Sequence, residues 1–159
     1  MAIEGIGWPM RVYLVIMDET DEAATALRFA ASRAQRTQGT VHLLALVPRQ
    51  QFVAFGGIQA TIEEEARARA EALVTSAAGS LMGDGGKPPV IAVKQGEGVA
   101  VIREYLTQHP EVSALVLGAA ANGGPGPLVS HFAAAAGHLP CPLYIIPGTM
   151  DAAGIERLS

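Results

Sequence analysis

Asp18 follows an uninterrupted apolar run and precedes Glu19-Thr20-Asp21, so its carboxylate stands where a buried strand gives way to a helix. A carboxylate in that place accepts hydrogen bonds from unpaired backbone N–H groups, or from the ribose hydroxyls and adenine amine of a ligand. Both uses are open from the residues alone. The second candidate is the segment from Gly118 to Ser130, which carries Gly123, Gly124 and Gly126 ahead of a short Ala-rich helix. Glycines let backbone N–H groups approach an anion, and a helix start adds its positive end. Against this, Pro125 and Pro127 remove two donors, and Pro127 suits the first helical position for structural reasons alone. A turn and cap with no phosphate is therefore the competing account. Ser130 can donate to a phosphate or be solvated, and Leu46, at the end of a second apolar run, can line a base pocket or pack in the core.

Other chemistries lack their residue patterns. No GxSxG segment occurs, and His131 beside Ser130 does not make a nucleophile and base, because such a site needs three groups meeting in space. Gly96-Glu97-Gly98 places Val101 where a dinucleotide fingerprint needs its third glycine, and no GxxxxGK[ST] loop is present. His42, His109, His131 and His138 are scattered without the i, i+4 spacing of a helical metal pair, so no metal ligand is expected. Cys141, the single cysteine, reads as a buried small hydrophobe between Pro140 and Pro142 and leaves no intrachain disulfide. With no catalytic residue in view, the expectation is a protein that acts by binding.

The elements that must hold these residues alternate. Val12–Met17 reads as a strand buried on both faces, and a helix follows from the Asp18–Asp21 segment with Ala23, Ala26, Leu27, Ala30, Ala31 and Ala34 on one face. Gly39 is expected as that helix's left-handed cap. Val41–Val47 forms the second strand, ended by Pro48. A glycine-interrupted loop spans Arg49 to Ala60, including Phe52–Gly57, before Thr61 and Glu64 open a second helix as a capping box. That helix carries an apolar stripe (Ile62, Ala66, Ala70, Leu73, Ala77, Leu81) and solvent-side pairs Glu63–Arg67 and Glu65–Arg69. Strands at Val90–Val93, Val112–Leu117 and Cys141–Ile146 then alternate with helices at about Val99 to Gln108 and from Leu128. Such alternation predicts a doubly wound five-stranded parallel sheet with helices on both faces. If the strand order is 3-2-1-4-5, the Asp18 loop lies beside the Gly118 loop.

At 159 residues, the chain fits one domain, with residues 1–10 and 149–159 as flexible tails. Half of it is hydrophobic but only 5% aromatic, so the core must be built from Ala, Val, Leu and Ile. A net charge of -4 supplies no basic footprint for nucleic acid. The opening MAIEGIGWPMR carries Glu4 and no apolar run of signal length, and no stretch approaches the roughly 20 apolar residues that span a bilayer. A cytoplasmic protein with no membrane partner is expected.

Val15-Ile16-Met17-Asp18-Glu19-Thr20 with Ala26-Leu27, then Val112–Gly118, Leu128-Val129-Ser130 and Leu139-Pro140-Cys141-Pro142-Leu143-Tyr144-Ile145-Ile146-Pro147, resemble the universal stress protein family over nearly the whole chain. The resemblance implies the order 3-2-1-4-5 in an adenine nucleotide alpha hydrolase-like fold and a homodimer joined through the C-terminal strand. In one subgroup it also implies ATP held by a G-x2-G-x9-G-[ST] loop. By the same resemblance, Asp18, Leu46, Gly118, Gly126 and Ser130 would line a pocket for ATP or AMP. The loop departs from the pattern: Ala121 stands at the second glycine, the spacer is shorter, and Val129 replaces the glycine before Ser130. Gly123, Gly124 and Gly126 compensate in part, and the family also holds members without ATP. The expectation is a stress-response protein that binds an adenine nucleotide or another small anion. The alternatives are a protein-interaction module with an empty crevice and a weak ATPase or autophosphorylating enzyme.

Overall fold

Six consecutive apolar residues form β1 (Val12–Met17), and all six are buried, which only a strand covered on both faces allows. The computed structural model describes residues 10–48 and 56–159. In chain order it continues with α1 (Asp21–Thr37), β2 (Thr40–Val47), α2 (Gly56–Gly83), β3 (Val90–Gln95) and α3 (Gly98–Gln108). It ends with β4 (Ala114–Ala119), α4 (Pro127–Ala134), β5 (Leu143–Pro147) and α5 (Ala152–Leu158). The sheet has the order β3-β2-β1-β4-β5, and each neighbouring pair is parallel, as expected.

The two-residue period of the strands divides the core into two layers. Tyr13, Val15 and Met17 point toward α1 and α2, with Leu43, Ala45, Val47 and Val116. Leu14 and Ile16 point the other way, with Leu44, Leu115 and Leu117 against Ile102, Tyr105, Val129 and Phe132 of α3 and α4. The second layer contains one polar pair, His42 and Tyr105, whose ring nitrogen Nδ1 and hydroxyl lie 2.8 Å apart. Burial holds the His42 pKa below its ordinary value and raises that of Tyr105.

Several boundaries differ from the sequence expectation. The left-handed residue after α1 is Gln38, with φ 57°, and not Gly39. Gly39 serves a tighter need: a Cβ there would sit 2.5 Å from the Arg11 carbonyl oxygen at the start of β1. Helix α2 begins at Gly56, so Thr61 lies inside it rather than capping it; helix propensity is a weak prior that context overrides. The part of the expected Phe52–Gly57 loop before Gly56 lies outside the described residues, as do residues 1–9. Arg69, expected to pair with Glu65, reaches Glu19 at 4.0 Å. Strands β4 and β5 each start two residues later than expected, and β4 runs on through Gly118 to Ala119.

Residues 152–158, expected within a flexible tail, form α5 against α1. Asp151 caps it by accepting from the Gly154 amide at 2.8 Å, and Ile155 is buried. The Ser32 and Ser159 hydroxyls lie 2.6 Å apart, and the Arg36 guanidinium donates to the Ser159 carbonyl at 3.1 Å and to the Glu156 carbonyl. Sequence periodicity missed this element because a seven-residue helix makes only two turns. Replacing Ile155 with Ala should lower stability by about 2 kcal/mol, as buried Ile truncations do. Urea denaturation measures it, and an unchanged midpoint would show that α5 adds nothing to the folded body.

Candidate functional site

Strand β1 pairs with β2 through Met17 opposite Ala45, and with β4 through Val15 opposite Val116. Carrying these registers one step past β1 sets Asp18 level with Leu46 on one side and Ala119 on the other. This is the carboxyl edge of the sheet. Here, the connections diverge, since β1 leads outward through β2 to β3 while β4 leads the opposite way to β5. Open α/β sheets bind ligands at such a switch point. Asp18, Leu46, Gly118 and the loop to Gly126 thus share one edge, while Ser130 stands on the exposed side of α4.

Asp18 organises the turn into α1. Its Oδ1 accepts from the Thr20 backbone N–H at 2.8 Å and from the Thr20 hydroxyl at 2.5 Å. Thr20 is the helix cap, its Oγ1 accepting from the Ala23 N–H at 3.2 Å. Among the described residues, Asp18 Oδ2 accepts no hydrogen bond, and the side chain is exposed. One oxygen holds the turn and the other faces outward.

Gly118 is required by packing. A Cβ on it would lie 2.0 Å from the Glu22 carbonyl oxygen in the first turn of α1. Gly148, after β5, receives the same residue, with a Cβ there falling 2.9 Å from Glu22 Cβ. Sequence reading missed Glu22 altogether, because its backbone and not its side-chain chemistry makes the contact.

Beyond β4 the chain turns through Gly123, Gly124 and Gly126 at φ of 74°, 90° and 99°, conformations natural only to glycine. The Ala120 N–H donates to the Pro125 carbonyl at 3.2 Å and closes this loop. Gly126 is the N-cap of α4 and makes no side-chain bond, so the first-turn amides of Leu128 and Val129 have no acceptor within the helix. The Ser130 N–H is spent inside the helix on the Gly126 carbonyl at 3.0 Å, which leaves its hydroxyl as the donor. Val129 is buried in the core beside Phe132. Leu46 and Leu128 converge on Gly98, where a Cβ would come within 3.3 and 3.4 Å of them.

Two further groups border this edge. Glu97 caps α3 by accepting from the Val99 and Ala100 amides at 3.1 and 2.9 Å, and those bonds hold its carboxyl pKa below the ordinary value. Arg103 Nη2 lies 3.1 Å from His131 Nε2. A cavity of about 790 Å³ lies elsewhere, between α1 and the end of α2, and none of the five expected site residues lines it.

The universal stress protein family model matches residues 10–147. The chain belongs to the universal stress protein family. No curated protein sequence matches it. Solved structures share its fold: universal stress protein UspA from Lactobacillus plantarum is 22% identical, with a TM-score of 0.71, over 88% of this chain and 99% of that one. A universal stress protein from Archaeoglobus fulgidus in complex with dAMP is 19% identical with a TM-score of 0.56, covering 86% of this chain and 97% of its own. One from Arabidopsis thaliana with AMP bound is 15% identical with a TM-score of 0.57, covering 86% and 91%.

Within this universal stress protein, the glycine that keeps the expected loop pattern, Gly118, is fixed by the close approach of α1. Gly118→Ala should therefore cost about 1–3 kcal/mol or more of stability, as overpacking does, while Gly79→Ala on the open side of α2 should gain about 0.5–1 kcal/mol. Equal midpoints for the two variants in urea would refute the packing assignment. Glu97 gives a pH test. Its folded pKa lies below the ordinary 4.5, so the cap contributes fully above that value and is lost as pH falls through the depressed pKa. Thermal melts between about pH 5 and about pH 3 should fall less steeply for Glu97→Gln than for the parent chain.

Proposed function

We propose that this universal stress protein binds an adenine nucleotide at the carboxyl edge of its sheet and acts through that binding, without turnover. The observation that carries this reading is the register: Asp18, one step past β1, stands level with Leu46 of β2, next to the glycine loop and the uncapped start of α4. Asp18 Oδ2 is an acceptor for a ribose hydroxyl or an adenine amine, and Leu46 offers an apolar surface to the base. The amides of the Gly123–Gly126 loop and of Leu128 and Val129 are donors for phosphate oxygens. Ser130 adds its hydroxyl, and Arg103, which donates to His131 Nε2, sets positive charge on the neighbouring α3. A monophosphate asks fewer donors of this loop than a triphosphate, because Pro125 and Pro127 carry no N–H. AMP is therefore the ligand we assign first. Relatives solved with AMP and dAMP support the class of ligand.

The protein acts, in this reading, as a cytoplasmic homodimer joined through β5. That strand is a sheet edge, and its Ile145 is 41% exposed, an apolar side chain on an edge open to a second copy. A second reading has its own observation: Leu46 and Leu128 already crowd Gly98, and Val129 fills the core beneath the loop. A crevice filled by its own leucines would leave the chain a protein-interaction module.

Native mass spectrometry of freshly purified protein separates the two readings by revealing any nucleotide carried along. Calorimetric titration with AMP, cyclic AMP and ATP follows. At a hundredfold excess over its dissociation constant, the true ligand should stabilise the fold by about 2.7 kcal/mol. Asp18→Ala should weaken that ligand at least tenfold, and unchanged affinity would remove Asp18 from the site. No nucleotide and no thermal shift would favour the interaction module.

A further inference from the structure

At the opposite, amino-terminal edge of the sheet, three residues from separate elements converge. His42 is near the start of β2, His109 is the C-cap of α3, and Glu111 precedes β4. Each offers one donor atom, and these atoms all lie within 4.8 Å of one another. We propose that His42, His109 and Glu111 form a binding site for one divalent transition-metal ion, with Zn²⁺ as its reference occupant.

The donor set fits that ion. Two imidazoles and a carboxylate suit zinc and its neighbours in the first transition row, whereas calcium and magnesium prefer oxygen alone. Three protein ligands leave a fourth position for water or an exchangeable group. Zinc holds such atoms at about 2.0–2.2 Å, which places tetrahedral ligands about 3.4 Å apart. The cluster must therefore contract by about 1 Å or slightly more, and its construction allows this. His42 is buried and fixed, with the Tyr105 hydroxyl on its Nδ1 at 2.8 Å, leaving its other ring nitrogen. Hydrogen bonds of that kind orient the ligating imidazoles of metal sites. Tyr105 also stacks on His109, with ring centroids 4.0 Å apart, so one side chain positions both rings. The His109 and Glu111 side chains are 34% and 49% exposed and sit on the turn after α3, where small rotations can close the cluster. Glu111 Oε1 already lies at 2.9 Å from His109 Nδ1, so these two donors need no new approach of the chain.

Occupancy would join the middle of the sheet to the end of α3 and the start of β4. That connection is independent of the nucleotide edge, because it involves none of Asp18, Leu46, Gly118, Gly126 or Ser130.

Protein stripped with a chelator and titrated with Zn²⁺ against a chromophoric competitor should bind one equivalent at micromolar or tighter affinity. The melting temperature should rise by about 5–10 °C at a hundredfold excess of Zn²⁺ over the dissociation constant. His109→Asn and Glu111→Gln alter a half-buried and an exposed side chain and should each weaken Zn²⁺ at least tenfold, with the metal-free melting temperature kept within a few degrees. The double variant should bind no Zn²⁺ at this stoichiometry, while Cys141→Ser should bind as the parent does. Absence of binding at 100-fold excess over the protein, equal affinity in the double variant, or loss of binding in Cys141→Ser would overturn the proposal.

Discussion

The carbonyl of Glu22 resting on Gly118 is the contact from which the carboxyl edge takes its shape. A helix backbone approaches a strand this closely only where the strand has no side chain, so α1 begins directly over β4 although it follows β1 in sequence. Gly148 repeats the arrangement beyond β5 and holds the same turn from a second side. Because Asp18 and Thr20 form the turn that leads into α1, the position of that turn across the sheet is set by the same contact. The glycine loop after β4 starts two residues further on. One steric requirement thus brings an exposed carboxylate and a loop of open amides to the same edge.

The sheet also gives the molecule two chemically different poles. Parallel strands present all their carboxyl ends on one edge and all their amino ends on the other, and β1 supplies core residues to both helical layers by simple alternation. The candidate nucleotide residues lie at the first pole. His42, His109 and Glu111 lie at the second, around the one buried hydrogen-bonded polar pair described in the α3–α4 layer, His42 and Tyr105. Burial of two polar groups in an apolar layer is tolerated because they bond to each other.

The altered loop has a structural account. Val129 stands where the family's loop pattern has glycine, and its side chain turns into the core with Phe132, so the start of α4 is anchored by packing. The Ser130 amide is consequently an ordinary helical donor. Backbone with positive φ occurs a few residues earlier, at Gly123, Gly124 and Gly126.

Most element positions were legible in the sequence, because alternating apolar runs, helical stripes and proline stops are relations between residues close along the chain, whereas the order 3-2-1-4-5 came through the family resemblance and is seen directly only in the sheet. Asp18 was legible for the same reason, as the polar residue closing a buried run. Gly118 was found, but its packing role was not: a glycine looks the same whether it frees amides or admits a helix, and the Glu22 backbone that approaches it leaves no signal. Gln38 taking the left-handed cap in place of Gly39 follows from another such approach, that of Arg11. The histidines looked scattered because local spacing describes only neighbours on one element, whereas His42 and Tyr105 are 63 positions apart and meet where a helix packs on the sheet. Local order was written in the sequence itself. Which distant backbones touch, and which polar side chains share a pole, was decided only when the sheet closed the distances between them.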